Sequence, residues 1–414
     1  MSINVNSEYL AIMLLGCVVY NTINFLLKGY FKITYFNKKI VFTRYLEQVS
    51  LKKSVQSIEY NNLFGIPYNI KEPFSEFINI ENILGSYNLP RNSSYLFSSL
   101  GNLKKIGNMN TSGVTTMRGL FKKCKQFNQN INNWKTPVLT DMSEMFEDCH
   151  NFNQSLIDGD TSRVTDMSFL FTNCHHFNNS INNWDTSQVT NMLSMFENCH
   201  NYNQPMDKLS TYRVRYMSCM FQSCYIFNQP LNSWDVGQVT CMAWMFKSCK
   251  RFNQFLDNWD TREISFFNGM FSECENFNKS IDNWDTTKAT NMSWMFFDCK
   301  KFNQPVNHFN TSRVTDMSCL FSGCERFNQP MDNWDIKNVK ETVGMFSRCK
   351  HFNQSIQNWQ FDNIINCAYM FSGCETFNNK IDHTQILKNA TYKSGMFNRC
   401  TKYKDTEKWP IHTL

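Results

Sequence analysis

Glycine and proline are scarce, 15 and 9 residues of 414, and the motifs that depend on them are missing too. The sequence holds no phosphate-cradling glycine loop, no G-x-S-x-G elbow and no H-E-x-x-H pair. An enzyme and a bound cofactor are therefore not expected. The cysteines, 17 in all, contain no C-x-x-C; their closest pairs are Cys219/Cys224 and Cys319/Cys324, so zinc spacing is absent as well. An odd number cannot all pair within one chain, and a chain of this length is not the short secreted type that lives on disulfides. Charge of one sign is also lacking: 41 Lys and Arg face 35 Asp and Glu, a net +6. The first sixty residues hold much of that excess, so the rest is nearly neutral and no specific nucleic-acid partner is expected.

What the chain has in abundance is phenylalanine, 37 residues, and it shares one period with the cysteines. Cys124, Cys149, Cys174, Cys199, Cys224, Cys249, Cys274, Cys299, Cys324, Cys349 and Cys374 recur every 25 residues, and Cys400 follows after 26. A phenylalanine stands three residues before each, from Phe121 to Phe397, and Phe or Tyr three after, from Phe127 to Tyr403. The unit reads M-F-x-x-C-x-x-F-N-Q-x-[IL]-x-N-W-D-T-S-x-V-T-x-M-S-x. One unit has too few apolar residues for its own core, so neighbouring units must stack and share one. The expected fold is a β-rich repeat solenoid of about 12 coils of 25 residues, with a small helical N-terminal cap. Within a coil, Phe-Asn-Gln-x-Ile and Val-Thr-x-Met suggest short strands, and Met-Ser-x-Met-Phe-x-x-Cys suggests one helical turn.

Residues at one phase of a stack form columns. The cysteines are expected as reduced, inward thiols that pack as small hydrophobes. Asn128, Asn153, Asn178, Asn203, Asn228, Asn253, Asn278, Asn303, Asn328, Asn353 and Asn378 form a second column, whose amides are expected to bond the next coil and buried turn backbone. Asp160, Asp185, Asp235, Asp260, Asp285 and Asp335, with Thr or Ser following most of them, suggest a turn in which the side chain accepts backbone N–H groups. The two positions after each cysteine vary most. They offer histidines early (His150, His175, His176, His200), with metal or pH chemistry open to them. Later they offer a candidate interaction strip of Lys250, Arg251, Lys300, Lys301, Arg326, Lys350 and His351, interrupted by Glu275, Glu325 and Glu375. Its expected partner is an unidentified protein with an acidic surface.

F-x-x-C-x-x-F-N-Q-x-[IL] followed by W-D-T-S-x-V-T-x-M resembles the BspA-like leucine-rich repeat family, over residues 108–403. Members occur among bacterial surface proteins and in large DNA viruses, and many bacterial ones carry Ala where this chain carries Cys. The resemblance implies a leucine-rich-repeat-like fold and a noncatalytic interaction scaffold, with surface adhesion as an alternative.

Residues 1–60 are read as a helical cap, an F-box-like segment or an anchor, 61–107 as a lead-in to the array, and 404–414 as a tail. "YLAIMLLGCVVYNTINFLL" at 9–27 is the one stretch near membrane-spanning length. It lacks the basic start and cleavage site of a signal peptide. As an anchor, the lysines after it would keep the repeats cytosolic. "TINFLLKGYFKI" resembles a degenerate F-box, which implies a Skp1-like partner through residues 9–45 and an adaptor role in a ubiquitin ligase. The sequons at Asn153, Asn178, Asn278 and Asn353 fall on the asparagine column, where a buried site would leave no room for a glycan. That and the free thiols favour a reducing intracellular compartment, with a surface or membrane-anchored location as the alternative.

Overall fold

The computed structural model describes residues 30–35, 38–43, 55–61, 79–156, 159–381 and 383–404. The chain forms two compact units, residues 1–179 and 180–414, and each is taken by itself.

In the first unit the described residues start with strands. β1 (Tyr30–Tyr35), β2 (Lys38–Thr43), β3 (Val55–Asn61), β4 (Asn82–Asn88) and β5 (Lys105–Asn110) form one sheet in the order β2-β1-β3-β4-β5. β1 pairs antiparallel with β2 and β3, while β3–β4 and β4–β5 are parallel. These strands correct the expected helical cap wherever it is described. YFKITY, KKIVFT and VQSIEYN are rich in β-branched and aromatic residues, which fit a pleated surface better than a helix. The end of the F-box-like stretch is accordingly strand from Tyr30 onward. The anchor reading of 9–27 and most of the Skp1-like contact at 9–45 lie outside the described residues, as do residues 405–414 of the tail.

Beyond β5 the pairing shrinks to one residue per coil. Asn92 bridges Thr116, Thr116 bridges Asp141 and Asp141 bridges Asp166, all parallel. The second unit repeats the series through Asn191, Tyr216, Cys241, Phe266, Asn291, Asp316, Glu341, Asn366 and Tyr392. A seven-residue helix, α1 (His383–Asn389), is the one helix among the described residues.

The segment after each bridge is not the helical turn expected from Met-Ser-x-Met-Phe-x-x-Cys. In a helix every N–H would return to its own segment. Here alternate donors leave it: Glu144, Phe146 and Asp148 donate to the Ser168, Leu170 and Thr172 carbonyls of the next coil at 2.9, 3.0 and 2.8 Å. Glu147, Cys149 and Phe152 donate three residues back along their own coil. Two left-handed residues per coil allow this alternation, such as Glu144 (φ 58°) and Asp148 (φ 62°), or Trp294 (φ 61°) and Asp298 (φ 53°) in the second unit. A left-handed residue interrupts a right-handed helix, so the local pattern gives way to bonding between coils. Nor is Phe-Asn-Gln-x-Ile a strand: there the asparagine side chain replaces the backbone ladder, as described below.

The core is a double aromatic column. In the first unit Phe121, Phe146 and Phe171 stack with centroids 5.8 Å apart, and Phe127, Phe152 and Phe177 at 6.1 and 6.0 Å. In the second, Phe271–Phe296 and Phe296–Phe321 lie at 5.7 and 5.6 Å, with Phe302 4.1 Å from Phe296 inside its coil. Burying each ring contributes about 1.5–3 kcal/mol, which makes this column the main support of the stack. Tryptophans flank the rings, and in the second unit their indoles bond the preceding coil: Trp284 Nε1 donates to the Leu256 carbonyl at 3.1 Å and Trp334 Nε1 to that of Val306 at 2.9 Å.

Beside the rings lie Cys124, Cys149 and Cys174 in the first unit, and in the second the cysteines at the same phase, Cys199, Cys224, Cys249, Cys274, Cys299, Cys324, Cys349 and Cys374, all fully buried. They do more than fill space. Cys299 Sγ–H donates to the Phe271 carbonyl at 2.9 Å, an oxygen that also takes the Cys274 N–H. Burial pushes the Cys299 thiol well above its ordinary pKa, so it stays protonated and able to donate.

Candidate interaction surface

Two polar columns hold the coil edges. Asn303 Oδ1 accepts the Asn328 N–H at 2.9 Å and Gln329 Nε2 at 3.1 Å, and the same contact recurs from Asn203 to Asn378 in the second unit. In the first unit Asn128 and Asn153 serve Asn153 and Asn178 in the same way. The amide oxygen thus stands in for a backbone carbonyl. The column is not buried, which corrects the premise of the sequon reading: Asn153 and Asn353 are exposed. Steric exclusion of a glycan therefore has no basis there.

The second column sits at the bridge. Asp141, Asp166, Asn191, Asn291, Asp316 and Asn366 each accept the N–H two residues on, at 2.8–3.2 Å. This cap satisfies a donor that the single-residue bridge leaves over.

Against that frame the predicted strip separates into two. Lys250, Lys300 and Lys350 share one column with Glu275 and Glu325, and the charges pair along it. Glu275 takes Lys300 at 3.0 Å and Lys250 at 3.9 Å, and Glu325 takes Lys350 at 3.2 Å. The glutamates that interrupt the strip in sequence thus pair with the lysines of its first column. Arg251, Lys301, Arg326 and His351 occupy the next column, all exposed. Lys301 Nζ donates to Asn276 Oδ1 at 2.6 Å. Lys300 and Lys350 also line a groove of about 780 Å³ with Asp298, Glu325, Arg348, Glu375 and Arg399. There Arg348 reaches across Gly323 to Asp298 at 2.9 Å, which the missing side chain permits. This groove mixes both signs. Early in the column His150 and His175 stack at 4.8 Å and His200 stacks on Tyr225 at 4.7 Å. Burial, with His175 beside it, lowers the His150 pKa. Among the described residues no group of three or more His, Cys, Asp or Glu is placed to hold a metal ion.

A surface that the sequence reading missed lies on three successive coils. At the bridge position Tyr216, Cys241 and Phe266 replace the capping Asp or Asn, and neither ring can serve the N–H two residues on. Tyr216 and Phe266 are 51% and 47% exposed, and Tyr212 is 43% exposed. Trp244 lies on the same segment, with Lys247 Nζ 5.0 Å from its ring centre. Residues 210–216 read STYRVRY where 160–166 read DTSRVTD: two carboxylates are lost, and a guanidinium and two phenols gained. The result is a groove of about 590 Å³ lined by Thr190, Tyr212, Arg213, Arg215, Tyr216 and Gln238. A second, of about 590 Å³, adjoins it through Arg215 and Gln238 and is lined by Asp235, Asp260, Arg262 and Glu263. The signal is present in the sequence as departures from the repeat, beside the more conspicuous charge after each cysteine.

Among the described residues no helix is long and apolar enough to cross a membrane. Comparison with curated proteins finds no match. Among solved structures the chain is similar to a leucine-rich-repeat protein of Leptospira interrogans, with 8% identity over 83% of this chain and 86% of that one, at a TM-score of 0.24. It is also similar to a plant peptide hormone receptor, RGFR1, solved in complex with RGF2, with 9% identity over 77% of this chain and 61% of that one, at a TM-score of 0.20. A family model described as "Mycoplasma protein of unknown function, DUF285" matches residues 91–182, 156–257, 179–283, 240–351 and 331–414. With matches running through 91–414, most of its length, the chain belongs to the DUF285 repeat family.

Proposed function

We propose that this protein is a noncatalytic interaction scaffold whose contact surface is the aromatic and arginine-bearing face of residues 212–266, in place of the lysine strip. One observation carries the reading: three successive coils give up the capping Asp or Asn for Tyr216, Cys241 and Phe266. Each exchange forfeits the local cap, about 0.5–1.5 kcal/mol, and at Tyr216 and Phe266 it leaves apolar surface in water, while Cys241 is half-buried and accepts the Ser218 hydroxyl at 3.0 Å. A fold that breaks its own rule three times running, without a packing return, marks a functional surface. Tyr, Trp and Arg are also the residues that most often anchor protein interfaces. The lysine strip is less suited, because its first column is already paired with Glu275 and Glu325.

A photo-crosslinking residue at Phe266, and another at Asp316 in the same position of a capped coil, test this in the native host. The expected outcome is a discrete adduct from position 266 and none from 316. Equal adducts from both, or none from 266, overturn the assignment.

A further inference from the structure

The groove at residues 212–216 has an electrostatic character of its own. Among its lining residues are two guanidinium groups, Arg213 and Arg215, and no carboxylate. Among the described residues no carboxylate oxygen pairs with either one within 4.0 Å. Arg213 Nη1 donates to a neutral acceptor, Gln188 Oε1, at 2.6 Å, and its guanidinium carbon lies 5.5 Å from the Tyr212 ring centre. The neighbouring charges, by contrast, are already partnered. Arg262 is bound to Asp260, Lys288 Nζ reaches Glu263 at 2.6 Å, and Asp235 Oδ1 accepts the Gly237 N–H at 3.0 Å.

The repeat shows what was exchanged for this. Arg215 stands where Thr165, Thr290 and Thr315 stand in other coils, and those hydroxyls donate to a carbonyl of the preceding coil at 3.1, 3.2 and 3.3 Å. Tyr212 stands where Ser162 and Ser312 donate to the turn carboxylate or amide. Tyr216 stands where Asp166 and Asp316 cap. Three stabilising side chains have thus been replaced by two exposed phenols and a cation whose carboxylate must come from elsewhere.

We infer that this groove, resting on the scaffold reading above, takes a short acidic segment of a partner protein, its carboxylates on Arg213 and Arg215 and an apolar or aromatic side chain between Tyr212 and Tyr216. Guanidinium groups bind carboxylates through paired N–H donors, and phenol rings give apolar contact at low entropic cost. A nucleic acid fits less well. A polyanion gains its affinity from many phosphate contacts in a row, and this groove offers only two guanidinium groups, enough for a short acidic stretch.

The test uses the full-length protein and fluorescence anisotropy with three labelled probes: a random copolymer of glutamate and tyrosine, one of lysine and tyrosine, and a twenty-residue oligothymidylate. The acidic copolymer is expected to bind, more weakly at high salt, and the lysine copolymer not to bind. Arg213→Glu with Arg215→Glu should weaken the acidic copolymer about tenfold or more, while Lys300→Glu with Lys350→Glu should leave it unchanged. A triple variant, Tyr212→Ser, Arg215→Thr and Tyr216→Asp, returns the coil to the common repeat, so it should fold at least as stably and lose the probe. Retained affinity in the triple variant overturns the assignment, as does oligothymidylate binding as tightly with the same losses. Failure of the acidic copolymer while the crosslinker at Phe266 still yields its adduct overturns the acidic segment alone; failure of both overturns the scaffold reading with it.

Discussion

Cys299 contributes to its coil both volume and a hydrogen bond. Its thiol is fully buried and donates to the Phe271 carbonyl, but that oxygen keeps a second partner in the Cys274 N–H. Cys299→Ala therefore removes a small volume and a weak donor without orphaning an acceptor, and should cost about 1–2 kcal/mol. Cys299→Asp places a charge in the same apolar column and should cost about 3–5 kcal/mol. Urea unfolding of the two variants would separate them, and equal stabilities would show that the site reaches solvent. Asn303 differs, because its oxygen is the acceptor for the Asn328 N–H and for Gln329. Asn303→Ala leaves that N–H unpaired, at about 1–3 kcal/mol, whereas Asn303→Asp keeps the acceptor and should cost less. Thiol chemistry offers a further check on the column. Cys219 and Cys319 are only half-buried, and burial raises each to about 11. Maleimide labelling of native protein near neutral pH should reach these two before Cys299. Early labelling of Cys299 would contradict its burial.

At the scale of a coil, the left-handed positions decide which neighbours are compatible. Trp244 lies flat against the next coil at Gly269, where a Cβ would meet its ring at 1.9 Å; Tyr95 over Gly119 and Tyr369 over Gly395 repeat the arrangement at 2.3 and 2.5 Å. Gly344 has the same backbone, φ 56° against 63° at Gly269, yet its nearest neighbour, Cys319 Sγ, would be 3.6 Å away. The pair separates two effects. Gly344→Ala carries only the left-handed strain, about 1–2 kcal/mol, while Gly269→Ala carries that strain plus displacement of an indole. Gly269→Ala should be the costlier by about 1–3 kcal/mol, and combining it with Trp244→Ala should bring its cost down to that of Gly344→Ala. A double-mutant cycle by thermal or denaturant unfolding measures the coupling, and additive effects would mean that the ring does not rest on Gly269. None of this was visible as a helical or strand period. Left-handed positions are held by Glu144, Phe169, Ser194, Cys219 and Trp294 as readily as by glycine, so residue type does not announce them. Bonding between coils imposes the conformation, and that bonding exists only once the coils have stacked.

Across the molecule, the 25-residue period was legible because packing in a stack repeats without insertion, and the aromatic and cysteine columns follow from it directly. The proposed contact surface is less legible, since it consists of exceptions to the period: Tyr212, Arg215, Tyr216 and Phe266 each stand out only against the coils above and below. The charge of the strip after the cysteines is visible in sequence, whereas the pairing of its lysines with Glu275 and Glu325 across coils is not. The repeated aspartates give the stack an acid limit. Hydrogen bonds from Ser162 hold Asp160 below the ordinary aspartate value in the first unit, and the Lys337 N–H does the same for Asp335 in the second. A carboxyl whose folded pKa is depressed stabilises the fold fully above its unfolded value, about 4, and loses that contribution as pH falls through the folded value. The melting temperature should hold between pH 7 and about 5 and fall toward pH 3. Asn310 accepts the Ser312 N–H at 3.1 Å in the same turn, so an uncharged amide suffices there. Asp160→Asn and Asp335→Asn should therefore keep the neutral melting temperature close to that of the parent and make its acid decline shallower, and an unchanged decline in the double variant would place the acid limit on other carboxylates.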